Sequence, residues 1–135
     1  MKPPRKRLLK IGTLLAASAL IWSCVAPVFP VPPPGQVGFV SRASTDSSGA
    51  PQTLWTASGG PLEQAANATY FVFDRTLGSG VIATAHNDGS FTAPEMAGVS
   101  GDQVLVYYKT PVGDYSDSLC VLLTTDQPAH LCPGQ

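Results

Sequence analysis

Ala68-Thr69-Tyr70-Phe71-Val72-Phe73-Asp74 is the run that decides the fold class. It is aromatic and β-branched, and the turn-forming residues Leu77-Gly78-Ser79-Gly80 follow it. Side chains of this kind favour pleated backbone over helix. Tyr70 and Val72 alternate with Phe71 and Phe73, so both faces of the run are apolar and it belongs inside a sheet rather than at its edge.

Six further runs of similar character surround it. They are Gln36 to Ser41, Gln52 to Ala57 around Trp55, Gly80 to His86, Ser90 to Ala93, Gln103 to Lys109 and Ser118 to Thr124. Turn signals separate them: Ser48-Gly49, Gly59-Gly60-Pro61, Asn87-Asp88-Gly89, Gly101-Asp102 and Gly113-Asp114. Asp88-Gly89 between two strand-like runs predicts a hairpin. Pro61 to Ala66 and Pro94 to Val99 each have room for one helical turn. About seven short strands with regular turns predict an all-β, antiparallel β-sandwich. Period-2 alternation points Val104, Val106 and Tyr108 inward, away from Leu105 and Tyr107. Phe91 should plug the core, and Trp55 should anchor it.

Upstream of the strands the composition changes twice. The first ten residues carry Lys2, Arg5, Lys6, Arg7 and Lys10 and no acid, and an apolar run from Ile11 to Trp22 follows. A basic stretch and a short apolar one are the parts of a secretory signal. The apolar run is shorter than the roughly 20 residues that a membrane span needs. Ala26 to Gly35 reads Ala-Pro-Val-Phe-Pro-Val-Pro-Pro-Pro-Gly. Its prolines favour an extended polyproline II spacer reaching roughly 30 Å.

Ile21-Trp22-Ser23-Cys24 resembles the box of bacterial lipoproteins, in which the cysteine becomes the acylated first residue of the mature chain. Ile21 and Ser23 fit that pattern, while Trp22 stands where a small residue is usual. The resemblance implies a signal peptide over 1–23, palmitate-type lipid on Cys24, and a lipid bilayer as the partner of that lipid. Two other readings stay open: an uncleaved signal anchor continuing through Val25, Ala26 and Val28, and an ordinary signal cut elsewhere. Arg5-Lys6-Arg7 also resembles a twin-arginine signal with a lysine in the wrong place, and export in the unfolded state is preferred. Val25 follows the cysteine where a lipoprotein retained at an inner membrane would carry Asp. That leans toward the outer membrane or cell surface in an organism that has an outer membrane.

Removal of residues 1–23 would leave Arg42, Arg75 and Lys109 against nine acids, a net charge of −6. Such a surface lacks the basic footprint of a nucleic-acid binder and has no attraction for anionic headgroups, so attachment would rest on acyl chains. With Cys24 lipidated, Cys120 and Cys132 remain, and an oxidising compartment makes a disulfide between them the default. The loop they close is worth roughly 3 kcal/mol in the chain-entropy model. The expected organisation is a signal peptide over 1–23, a lipidated cysteine and Pro-rich linker over 24–35, and one β-sandwich domain over 36–135.

A second resemblance spans Asn67 to Leu123. Asp88-Gly89-Ser90-Phe91, a spacer, Gly101-Asp102 and the alternating run Val104 to Tyr108 resemble bacterial Ig-like modules and the carboxypeptidase-regulatory-like sandwiches of secreted proteins. The resemblance implies an Ig-like sandwich with a structural, spacer or adhesive role and transfers no catalytic residues.

Chemistry-bearing side chains are sparse. A hydrolase needs a nucleophile, a base and an orienting group, and the chain has only His86 and His130 as imidazoles, with no Gly-x-Ser-x-Gly. No enzyme activity, cofactor or metal is therefore expected. Asp88, Asp102, Asp114 and Asp117 could offer oxygens to calcium, but acidic turns are more often solvated corners. Asn67-Ala68-Thr69 matches the glycosylation tripeptide, which means little in a bacterial chain. Tyr107, Tyr115, Phe71 and Phe73 would make a patch for a glycan or peptide if exposed; packing of these rings between the sheets is the expectation. The function expected is a membrane-anchored, non-catalytic structural or protein-interaction module of the cell envelope, with a glycan- or peptide-binding surface as the alternative.

Overall fold

Alternation along each strand decides which side chains meet between two antiparallel sheets. The computed structural model describes residues 30–134; the signal segment expected over 1–23, Cys24 and residues 25–29 of the expected linker lie outside them. One sheet contains β1 (Val37–Thr45), β2 (Pro51–Gly59), β5 (Phe91–Thr92) and β6 (Met96–Ala97). The other contains β3 (Thr69–Asp74), β4 (Ser79–Thr84), β7 (Gln103–Lys109) and β8 (Leu119–Leu122), in the order β4-β3-β7-β8. β3 is interior to its sheet, as its two apolar faces demand.

β5 and β6 both pair with β2. They act as one strand interrupted around Pro94, which has no N–H to give to a ladder. The seven expected strands are thus present, one of them split. Strands one, two and five share one sheet, and three, four, six and seven share the other. This is the Greek-key immunoglobulin arrangement with the fourth strand placed beside the third.

Of three local expectations, the one-turn helix within Pro61 to Ala66 holds and two change. Pro94 to Val99 contains β6 rather than a helical turn. Pro61 to Ala66 holds one 3-10 turn, Glu63–Ala65. Asp88-Gly89 closes no hairpin: β4 lies in one sheet and β5 in the other, so the turn carries the chain across the sandwich. Its geometry is still turn-like. Asp88 Oδ1 accepts from Ser90 N–H at 2.9 Å and from Ser90 Oγ at 2.6 Å, and Leu62 N–H donates to the Asp88 carbonyl.

The core holds the alternation that the sequence shows. Val104, Val106 and Tyr108 are fully buried, as are Tyr70, Val72 and Leu123. Tyr70 stacks on Phe91 with ring centroids 3.9 Å apart and meets Tyr108 at 5.2 Å. Trp55 packs edge-on to Phe39 and donates its indole N–H to the Gly98 carbonyl at 2.9 Å.

Two chain ends finish the sandwich. The C-terminal segment bonds to β1 through Ala129 N–H and the Val37 carbonyl, and to β8 through Leu122 N–H and the His130 carbonyl. The Pro-rich stretch does not stand away from the domain in its described part. Val31 packs against the core, Pro34 is buried, and the Tyr108 hydroxyl donates to the Pro32 carbonyl at 2.9 Å. The folded unit therefore takes in residues of the expected spacer.

Gly89 and Gly49 separate steric cost from conformational cost. Both have positive φ, +81° and +84°. A Cβ on Gly89 would overlap the Leu62 carbonyl, whereas one on Gly49 meets nothing within 4 Å. Gly49→Ala should cost about 1–2 kcal/mol from the left-handed backbone alone, and Gly89→Ala should exceed it by roughly another 1–3 kcal/mol of overpacking. Urea denaturation of the two variants measures the difference, and equal midpoints would contradict it.

Candidate functional site

All four aromatic side chains expected between the sheets, Phe71, Phe73, Tyr107 and Tyr115, stand on the outer face of β3-β4-β7 and its margin instead. β3 turns Tyr70, Val72 and Asp74 inward, which leaves Thr69, Phe71 and Phe73 outside. Cross-strand register places Ile82 of β4, Phe71 of β3 and Tyr107 of β7 in one row. Tyr115 extends the row through a bridge with Lys109. Ile82 is 59% exposed and Tyr115 57%. The burial expectation failed because a run with two apolar faces does not declare which face looks inward, and here the β3 phase is set by Tyr70 and Asp74.

The row has a definite geometry. Phe71 and Tyr107 are stacked, 4.9 Å between centroids and 13° between planes. Tyr115 lies 6.4 Å from Tyr107 and 6.5 Å from Phe71 at tilts of 45° and 35°. Lys109 Nζ sits 5.3 Å from the centre of the Tyr115 ring. Each of Phe71 and Tyr107 gives one ring face to the other, so the row is a cross-strand ladder. The neighbouring row is Gly80, Phe73 and Leu105. A shallow depression of about 190 Å³ lies between the rows. No outward position of β3, β4 or β7 carries an acid, in a chain where acids outnumber bases after Cys24 three to one.

At the opposite end from the Lys109-Tyr115 bridge, a cleft of about 680 Å³ opens beneath the β1-β2 hairpin. Its lining includes Ser41, Ala43, Thr53, Trp55, Val99 and Thr125, and no charged side chain.

Cys120 and Cys132 are bonded to each other in the structure, with Cα atoms 5.4 Å apart. They lie opposite one another because Leu131 bridges to Val121 and Cys132 N–H donates to the Cys120 carbonyl. Cys24 lies outside the described residues. The imidazoles are apart from both surfaces: His130 meets the Asp126 carboxylate at 3.0 Å on exposed surface, and His86 is exposed at the Ala85–Ser90 turn. The four aspartates considered for calcium do not converge. Asp88 lies in the crossing turn, while Asp102 Oδ2 accepts from Val99 N–H before β7 begins. Among the described residues no three His, Cys, Asp or Glu side chains are grouped to hold a metal.

Most acids have local partners of another kind. Asp46 Oδ1 accepts from Ser48 N–H, Ser48 Oγ and Ala50 N–H, which builds the β1-β2 turn and lowers its pKa, the Ser48 hydroxyl contributing most. Asp88 is lowered in the same way by Ser90. Glu95 makes a two-pronged ion pair with Arg42. Asp74 is the exception, and no sequence pattern marked it. It is 0% exposed, and only Oδ1 is used, accepting from Thr76 and Leu77 N–H at 2.8 and 3.0 Å. Oδ2 has no hydrogen-bond partner. Burial raises the Asp74 pKa above the ordinary carboxylate range, and the neighbouring Asp102 carboxylate adds to the rise against the two N–H bonds.

No protein-family model, curated protein or solved structure matches the chain.

A carboxyl with a raised folded pKa binds its proton more tightly in the folded state. Its contribution to stability is therefore full below the unfolded value, about pH 4, and is lost as pH rises through the folded one. Asp74→Asn keeps an acceptor for Thr76 and Leu77 and cannot ionise. Relative to the native chain it should gain stability as pH rises above about 4, the unfolded carboxyl value, measured by urea unfolding from acid to neutral pH; a difference that does not change with pH would refute the assignment. Separately, Cys120→Ser with Cys132→Ser should cost about 3 kcal/mol in the same measurement, and a neutral effect would show that the pinned segment holds without the bond.

Proposed function

We propose that this chain is an exported lipoprotein, cleaved ahead of Cys24 and acylated there. Its sandwich serves as a non-catalytic protein-interaction module of the cell envelope. The observation that carries this reading is the pairing of Cys120 with Cys132. A disulfide in a small domain belongs to an oxidising compartment. It also leaves Cys24 as the third cysteine of the chain, at the end of a basic and then apolar leader.

The packed spacer refines how such a module would sit. With Val31 against the core and Pro32 bonded to Tyr108, only residues 25–30 remain as tether. Six residues reach at most about 20 Å, so the domain would stay close to the bilayer rather than on a long stalk. Retention at an outer membrane follows from Val25 on the same terms.

The exposed aromatic row favours an interaction surface over a bare spacer. It also bears on the alternative of glycan binding. A sugar ring stacks on an open aromatic face, and Phe71 and Tyr107 each use a face on the other. Rings already paired in this way, flanked by Ile82 and Leu105, suit an apolar protein contact better.

Cys24→Ala should move the protein from the membrane fraction to the soluble fraction of cells that express it. Unchanged membrane retention would overturn acylation in favour of an uncleaved signal anchor.

A further inference from the structure

Among the described residues β1 is an edge strand, paired with β2 alone. In an antiparallel pair every second residue turns its N–H and C=O away from the partner. Two bonds fix which set this is. The Val37 carbonyl accepts from Ala129 N–H at 3.0 Å, and the Phe39 carbonyl accepts from Gln127 Nε2 at 2.9 Å. The same phase continues through Ser41, Ala43 and Thr45, whose outward backbone groups have no partner among the described residues. The C-terminal segment covers the upper half of the edge and leaves the lower half open.

Open edges are ordinarily guarded by proline, a bulge or an inward charge. Val40 to Thr45 has none of these. Arg42 belongs to the alternate, outer set and is engaged with Glu95. The upper half shows that the edge accepts added amide donors, because the Gln127 side chain stands where the N–H of a neighbouring strand would. Directly under the open half lies the uncharged cleft of about 680 Å³, to which Ser41 and Ala43 contribute from the inner face of β1.

We infer that the lower edge of β1 and this cleft form a strand-addition site for an extended peptide of a partner protein. Main-chain bonds to Ser41, Ala43 and Thr45 hold the peptide, and its alternate, uncharged side chains enter the cleft. A second copy of the chain fits less well. Pairing through the same edge would offer the cleft only Ser41, Ala43 and Thr45, which are too small to fill it. The inference rests on the reading of the domain as an interaction module and is independent of acylation at Cys24.

The test uses the full chain and a phage-displayed library of random extended peptides. Selected peptides should carry uncharged, bulky residues at alternate positions. Their affinity, by titration calorimetry, should fall about tenfold or more in Ala43→Pro, which removes the outward N–H. Proline is tolerated on an edge whose N–H faces solvent, and Ser41→Pro provides a second variant if the first does not fold. Val112→Ala, at an exposed position away from the edge and the cleft, should leave the affinity unchanged. Failure to enrich any peptide, or enriched peptides indifferent to both proline variants, would overturn the inference. So would a concentration-dependent dimer abolished by Ala43→Pro, which would assign the edge to a second copy. None of these outcomes depends on where Cys24→Ala fractionates.

Discussion

The contact of Tyr70 with Phe91 and Tyr108 is the interaction from which the rest of the sandwich takes its form. Tyr70 and Tyr108 come from adjacent strands of one sheet and Phe91 from the other. Three large rings between the sheets set their spacing and remove much apolar surface from water. They also fix the phase of β3: once Tyr70 points inward, Phe71 and Phe73 must point outward. The exposed aromatic row is thus a consequence of the core. The Tyr108 hydroxyl carries the effect further, since it needs a partner at the core's margin and finds the Pro32 carbonyl. The Pro-rich stretch is drawn onto the domain by a core residue.

The acidic character of the domain has a structural origin. Asp46, Asp74 and Asp88 each accept an N–H from the residue two positions on. This Asx arrangement offers the backbone a local partner in place of a ladder bond. A fold of many short strands needs many such corners, and aspartate supplies them. The cost appears where a corner is buried, at Asp74, with one oxygen unpartnered and a raised pKa.

Much of this was legible in the sequence, and the failures have physical causes. The seven strand runs, the inward set of β7, the burial of Phe91 and the central place of β3 follow from period-2 patterning. What patterning could not decide was any question of phase or partner. The Phe71 and Phe73 face looked as apolar as the opposite one. Asp88-Gly89 has the residues of a hairpin turn, but whether two strands joined by a turn share a sheet depends on tertiary packing. Prolines 30–34 read as a spacer because composition reports stiffness and cannot report docking. The candidate sites were the least legible. Ser41, Ala43 and Thr45 carry no distinctive side chain, and their significance lies in unpaired backbone that only the sheet order reveals.

The two ends of the sandwich differ in a way that bears on the proposed tether. Val37, Lys109 and the docked Val31–Pro34 lie at one end, where the C-terminal segment and the Cys120–Cys132 bond close the gap between β1 and β8. β1 then runs from Val37 to Thr45, about 26 Å at 3.3 Å per residue, to the end where its edge is free and the cleft opens. If Cys24 is acylated as proposed, a tether of about 20 Å attached at the closed end would hold that end toward the bilayer and turn the open edge outward. The disulfide and the Gln127 contact therefore do more than stabilise. They blunt the edge of β1 where the domain would meet the membrane and confine its unpaired backbone to the end that faces away, where a partner strand can reach it.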